Sequence, residues 1–249
     1  IHNQIGLTYS KANDLSNANR HFSEAIRLAA KAGTPYPKPY NNRGNVFSKE
    51  ERFEEARLDF DKAIQMDPAY ASPYLNRGEL FLQRASSQGT QPEERRKLLQ
   101  SAVEDFVRAI SLEPDSPSGY FGLGNVYYKE GVWDAALEYF ERAERLDPNS
   151  PDFVENKGSA LYWLGRHQEA ARQYSRVLEL DPARSSAYRN RAAAYRRVGE
   201  VTKAAADEVM AATLERLQGA GRKVEQRPRK QTRIQETERL RNRSFASGF

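Results

Sequence analysis

The chain of 249 residues contains no cysteine. This excludes disulfide frameworks, thiolate metal sites and thiol nucleophiles, and leaves the compartment open. Histidine is nearly as scarce. His2, His21 and His167 are scattered and lack the spacing of metal ligands, so no metal site is expected. No apolar run approaches the length of a membrane span and no signal or transit peptide is visible, so membrane insertion is not expected. A GxxxxGK phosphate cradle is missing. Gly122-Leu123-Gly124 copies part of a dinucleotide fingerprint but lacks the third glycine and a preceding strand. The carboxylate pairs Glu54-Glu55 and Glu93-Glu94 fit helix starts, where negative charge is favourable. Nothing is left that resembles a catalytic constellation, so neither enzymatic activity nor a cofactor is expected.

Apolar residues are also sparse. They make up 39% of the chain against 29% charged, and the mean hydropathy is −0.84. That is polar for a compact globule and suits a thin array with much wet surface. The net charge of +5 is uneven. Residues 219–249 hold nine Lys/Arg and three Asp/Glu, a net +6, which leaves the first 218 residues at −1.

What is present is a period. In residues 119–149, Tyr120, Leu123, Gly124 and Tyr127 recur at helical spacing and Gly131 marks a turn. Ala136, Phe140 and Ala143 then share a face of a second helix, which Asp147-Pro148 ends because proline pushes the residue before it out of the helical region. Gly124 and Ala136 are small, so the two helices can approach closely. Acidic-Pro stops recur at Pro68, Pro114, Pro148 and Pro182. The last two intervals are 34 residues and the first is 34 plus 12. The same residue types return at the same offsets: Gly44, Phe47, Ala56, Phe60 and Ala63; Gly78, Phe81, Ala102, Phe106 and Ala109; Gly158, Ala170 and Tyr174.

This pattern resembles the tetratricopeptide repeat (TPR), a helix–turn–helix unit of 34 residues. The resemblance divides residues 1–218 into units at approximately 1–32, 37–70, 71–116, 117–150, 151–184 and 185–217, followed by a basic tail at 219–249. It implies an all-α fold, a right-handed α-solenoid with first helices on the concave face and second helices outside. The third unit carries the 12 extra residues, approximately Ala85 to Arg96, read as a surface loop or a partner contact. Glu93 to Gln100 is expected to extend the second helix backwards, with Pro92 near its first turn. The last unit departs from the pattern, with Glu208 where Phe is expected, as suits a terminal repeat. The chain opens at Ile1 without Met and inside a helix, which reads as a truncated first unit.

Cations stand just before the small residue of the first helix: Arg43, Arg77, Lys157 and Arg191. Just before the second-helix aromatic position or its equivalent stand Asp59, Asp105, Gln173 and Asp207, so each Arg unit has Asp. The fourth unit has Leu123 and Tyr139, both apolar. Three ion pairs between packed helices follow as a prediction: Arg43–Asp59, Arg77–Asp105 and Arg191–Asp207.

Helix geometry aims Asn42, Asn76, Asn156 and Asn190 into the concave groove, with Asn45 and Asn125 one turn further along. An amide offers donor and acceptor together and can grip a peptide backbone with little regard for sequence. Phe121, Tyr128, Tyr162 and Trp163 make the middle of the groove apolar, while Arg189, Arg196 and Arg197 make its end basic. Tyr162 and Trp163 also fit packing between repeats. After Gln218, Gly219-Ala220-Gly221 reads as a helix break. Arg222, Lys223, Arg227, Arg229, Lys230 and Arg233 form a basic, largely irregular arm, with Phe245 and Phe249 as apolar anchors and a possible short helix over 231–243. The arm is a solvated end, a contact for an acidic protein surface, or a contact for RNA phosphates.

These features imply a non-catalytic interaction scaffold that binds an extended peptide of one or more partner proteins. A nucleic-acid-associated factor and a regulatory region of a larger protein are the alternatives. Cytoplasmic, cytoskeletal or ciliary, and organellar settings all remain compatible.

Overall fold

The computed structural model describes residues 1–225, with side chains up to Gln218. It contains twelve helices and, among the described residues, no strand. They are α1 (His2–Lys11), α2 (Leu15–Lys31), α3 (Pro37–Lys49), α4 (Phe53–Met66), α5 (Ala71–Ser86), α6 (Pro92–Leu112), α7 (Pro117–Glu130), α8 (Trp133–Leu146), α9 (Pro151–Trp163), α10 (His167–Leu180), α11 (Ser185–Arg197) and α12 (Val201–Glu225). Each packs on the next in the chain, so six antiparallel hairpins stack into an α-solenoid.

Local chemistry sets the helix ends. Proline occupies the first turn of α3, α6, α7 and α9, where its missing N–H costs nothing. Asp67, Glu113, Asp147 and Asp181 leave the helical region at φ −144°, −134°, −139° and −139°, as residues before proline must. Between the paired helices, Gly131 turns the chain at φ +77°. The extra residues of the third unit mostly lengthen its helices: α5 has 16 residues and α6 has 21, starting at Pro92 as expected.

The same contact joins the two helices in five of the six hairpins. A Cβ added to Gly6, Gly44, Gly78, Gly124 or Gly158 would come within 2.5–2.9 Å of the ring of Phe22, Phe60, Phe106, Phe140 or Tyr174. Those rings are buried. The first helix therefore meets the second through an aromatic face pressed onto bare backbone, a fit that one methyl group would spoil. The sixth hairpin shows the converse. Its glycine position is Ala192, and the ring is replaced by Glu208, half-buried and paired with Arg196 at 2.6 Å. Without a ring there is room for the methyl.

The expected break at Gly219–Gly221 does not occur: α12 runs through it to Glu225. Each glycine costs about 1 kcal/mol relative to alanine, yet extending an established helix needs no new nucleus, and no proline stands there to stop it. The expected helix over 231–243 lies outside the described residues.

Candidate functional site

Helix α1 touches α3, α3 touches α5, α5 touches α7 and α9 touches α11, whereas no comparable packing joins successive even-numbered helices. The odd-numbered helices therefore crowd together on the inner, concave side of the stack. Every groove residue named from the sequence lies on them.

The asparagines are tied across the stack. Asn42 Nδ2 donates to Asn3 Oδ1 at 2.9 Å, and Asn76 Nδ2 to Asn41 Oδ1 at 2.8 Å. Asn190 Nδ2 donates to Glu155 Oε1 at 3.1 Å. In these three cases the donor stands two residues before the small residue of its helix, and the acceptor three before that of the preceding unit. Asn3, Asn41 and Glu155 are buried, so each needs its partner. Asn156 meets Phe121 at the corresponding place and donates to Asn125 Oδ1 at 3.0 Å instead. The four donor amides are half-buried, and their own oxygens accept no hydrogen bond among the described residues. Asn45 is half-buried and makes no such link.

A second set of links runs two helical turns further along. Trp163 Nε1 donates to Tyr128 Oη at 2.8 Å, and Arg197 Nε to Tyr162 Oη at 3.3 Å. Trp163 stacks on Trp133 with centroids 5.4 Å apart, yet it remains 56% exposed. Partial burial raises the Tyr128 hydroxyl above its ordinary range. Trp163 and Tyr162 thus bridge neighbouring repeats and also line the rim. Phe121 is less available, packed between Phe140 and Phe153 at centroid distances of 5.7 and 4.8 Å. Arg189 and Arg196 are already engaged by Glu215 and Glu208 of α12.

The cations beside the glycines behave as anticipated. Arg43 grips Asp59 through Nε and a terminal nitrogen at 2.7 and 2.8 Å. Arg77 grips Asp105 at 2.8 and 2.6 Å, and Arg191 grips Asp207 at 2.8 and 2.7 Å. The three carboxylates are buried. The hydrogen bonds that Arg43 and Arg191 donate to Asp59 and Asp207 raise the two guanidinium groups above their ordinary range. Burial lifts the Asp105 carboxyl, and Arg77 pulls it back.

Sequence reasoning missed a third member of each cluster, the residue directly after the aromatic of the preceding unit. Arg43 also reaches Ser23 Oγ at 3.0 Å, Arg77 reaches Asp61, and Arg191 reaches Ser175 Oγ at 3.0 Å. Lys157 turns entirely to that side, to Glu144 at 3.0 Å and Glu141 at 3.7 Å, and leaves Gln173 Oε1 buried without a partner. In the fourth unit Leu123 and Tyr139 pack in an apolar cluster, and Val107 stands at the third place.

Arg222 and Lys223 fall within α12 beyond the described side chains. Arg227, Arg229, Lys230, Arg233, Phe245 and Phe249 lie outside the described residues. Among the described residues no three or more metal-ligating side chains cluster, and no helix is long and apolar enough to cross a membrane.

Solved structures share this architecture. The Pseudomonas aeruginosa pilF protein is similar at a TM-score of 0.70, with 20% identity over 87% of this chain and 90% of that one. TTC0263, a TPR protein of Thermus thermophilus, gives 0.66 with 19% identity over 78% and 96%. YrrB, described as a TPR protein with an unusual peptide-binding site, gives 0.56 with 24% identity over 78% and 91%. A DnaJ homolog subfamily C member 7 homolog of Dictyostelium discoideum is 26% identical over 111 residues, 45% of this chain. The match covers only 18% of that relative's length. Models described as tetratricopeptide repeat or TPR repeat match residues 37–70, 93–151 and 158–199, together more than half of the chain. The chain belongs to the tetratricopeptide repeat family.

Proposed function

We propose that this chain is a non-catalytic scaffold within a larger assembly, and that its concave face holds an extended segment of a partner protein by the segment's backbone. The observation that supports this reading is the row of tethered amides. Asn42, Asn76, Asn156 and Asn190 each spend one N–H on the neighbouring repeat, which fixes the side chain while leaving its oxygen free. Groups ordered in advance lose less entropy when a ligand arrives. YrrB, similar in fold, supplies an analogy for peptide binding. The sequestered arginines speak against a phosphate-binding repeat body. A contact with RNA or with an acidic protein surface would fall to the basic tail, as a second point of attachment.

Selecting short peptides on the purified full chain and titrating them calorimetrically tests the reading. Selected peptides should bind the Asn156→Ala/Asn190→Ala double variant about tenfold more weakly, the equivalent of about 1.4 kcal/mol. They should also weaken when their own amides are N-methylated. Peptides insensitive to both changes would place the binding elsewhere and overturn the proposal.

A further inference from the structure

The rim of the groove carries one row that keeps exposed charge and aromatic surface beyond the contacts it makes with neighbouring repeats. Five residues after the small residue of the first helix stand Lys129 in α7, Trp163 in α9 and Arg197 in α11, and all three are exposed. Arg189 and Arg196 are neutralised by carboxylates of α12. Lys129 and Arg197 make no ion pair among the described residues, and the bond that Arg197 does make is to the uncharged Tyr162 hydroxyl. Between them Trp163 is held by the Tyr128 hydroxyl and by the stacked ring of Trp133, so its exposed ring is a fixed surface and not a mobile side chain. A preset aromatic ring flanked by two cations that form no ion pair among the described residues is a recognition pattern.

We propose that this row reads an extended segment with one large apolar residue flanked on each side by a carboxylate. The spacing follows from the stack. The Trp163–Tyr128 and Arg197–Tyr162 hydrogen bonds bridge α7 to α9 and α9 to α11 at this level. These helices therefore lie one helix diameter apart, roughly 10–12 Å, and an extended chain advances about 3.3 Å per residue. Consecutive members of the row therefore match ligand residues about three apart. The apolar residue covers the Trp163 ring, and acidic residues three before and three after it meet Lys129 and Arg197. Glu79 of α5 sets the limit of the pattern. It is exposed and lies close enough to the Lys129 ammonium to attract it without pairing. A second acidic residue one repeat earlier would meet a like charge there. The inference rests on the peptide-binding reading above and adds the side-chain chemistry that the backbone grip cannot supply.

The test uses a fluorescein-labelled peptide with a central Phe and Glu three residues to either side, in a Ser/Ala/Thr background, titrated into the full chain by anisotropy. Replacing both Glu by Gln, replacing Phe by Ser, or moving the Glu residues next to the Phe should each weaken binding about tenfold or more. The Lys129→Glu/Arg197→Glu variant should lose the acidic peptide and gain one with Lys in place of Glu. Such a charge swap cannot arise from misfolding, and circular dichroism would check the fold independently. Equal affinity for all the peptides, with binding still weakened by the asparagine substitutions, would overturn this inference and leave the groove standing. If no peptide binds in any background, both fall together.

Discussion

The junction between the third and fourth units differs from every other junction in the stack. Across the second junction Asn76 bonds to Asn41, Arg77 to Asp61, and Arg108 to the Pro68 carbonyl. Across the fifth, Asn190 reaches Glu155 and Arg191 reaches Ser175. Between α5–α6 and α7–α8 no hydrogen bond or ion pair crosses among the described residues. Leu75 stands where the first, second and fifth units put a polar acceptor, and Gly122 stands where the other units after the first put the asparagine donor. A Cβ on Gly122 would fall 2.4 Å from the Phe106 ring, and one on Gly119 2.6 Å from Ile110. The same packing problem has thus been solved in two ways. One is polar and directional, and fixes the register of neighbouring repeats. The other is apolar and close, and burial does not specify direction.

The largest expected effect comes from breaking the polar solution. Asp59→Ala would leave Arg43 half-buried and unpaired, at a cost of about 3 kcal/mol in unfolding free energy measured by denaturant titration. Transplanting the apolar solution should recover most of that. In Ser23→Val/Arg43→Leu/Asp59→Tyr the three side chains of the fourth unit's cluster replace those of the second. Its stability is expected within about 1.5 kcal/mol of the parent, because well-packed apolar groups often replace buried ion pairs at little cost. A triple variant as unstable as the single one would mean that the two clusters are not interchangeable.

A smaller gain is expected where the polar cluster is incomplete. Lys157→Arg/Gln173→Asp would restore the pair found in three other units and remove the unpartnered Gln173 oxygen. An increase of about 1 kcal/mol, seen as a higher midpoint, is expected. Gln173→Asp alone should give less, since Lys157 is engaged by Glu144.

Much of this was legible because repeats supply their own comparison. Arg and Asp vary together within a unit, so all three ion pairs were legible in the sequence, and the small residues marked a close helix approach. That each glycine meets an aromatic ring, 16 residues away in most units, was not read from it. What else escaped were relations between units. The third member of each arginine cluster belongs to the preceding hairpin. Asn76 and Asn41 are 35 residues apart, one repeat plus one residue, an offset set by how stacked helices slide past one another. Comparing like positions hides such an offset. The asparagines were therefore expected only to face a ligand, and their bonds to one another were missed. The neutralised Arg189 and Arg196 were missed for a related reason: their partners come from α12, whose sequence departs from the repeat pattern.

The mildest perturbation changes no packing at all and asks whether the two kinds of junction move differently. The chain has no cysteine, so paired spin labels can be placed without background. Glu104, Glu138 and Arg172 are exposed and stand two residues before the aromatic of α6, α8 and α10, which makes them equivalent reporters. Labels at 104 and 138 span the apolar junction, and labels at 138 and 172 span the next one, where Asn156, Lys157 and Trp163 all cross. Directional bonds penalise sliding and rotation, whereas an apolar contact over glycine backbone tolerates both until rings collide. Pulsed electron paramagnetic resonance should therefore return a broader distance distribution for the first pair. Equal widths would mean that the close fit of Gly119 and Gly122 over Ile110 and Phe106 locks the stack as firmly as hydrogen bonds do, and that shape alone can set register in this solenoid.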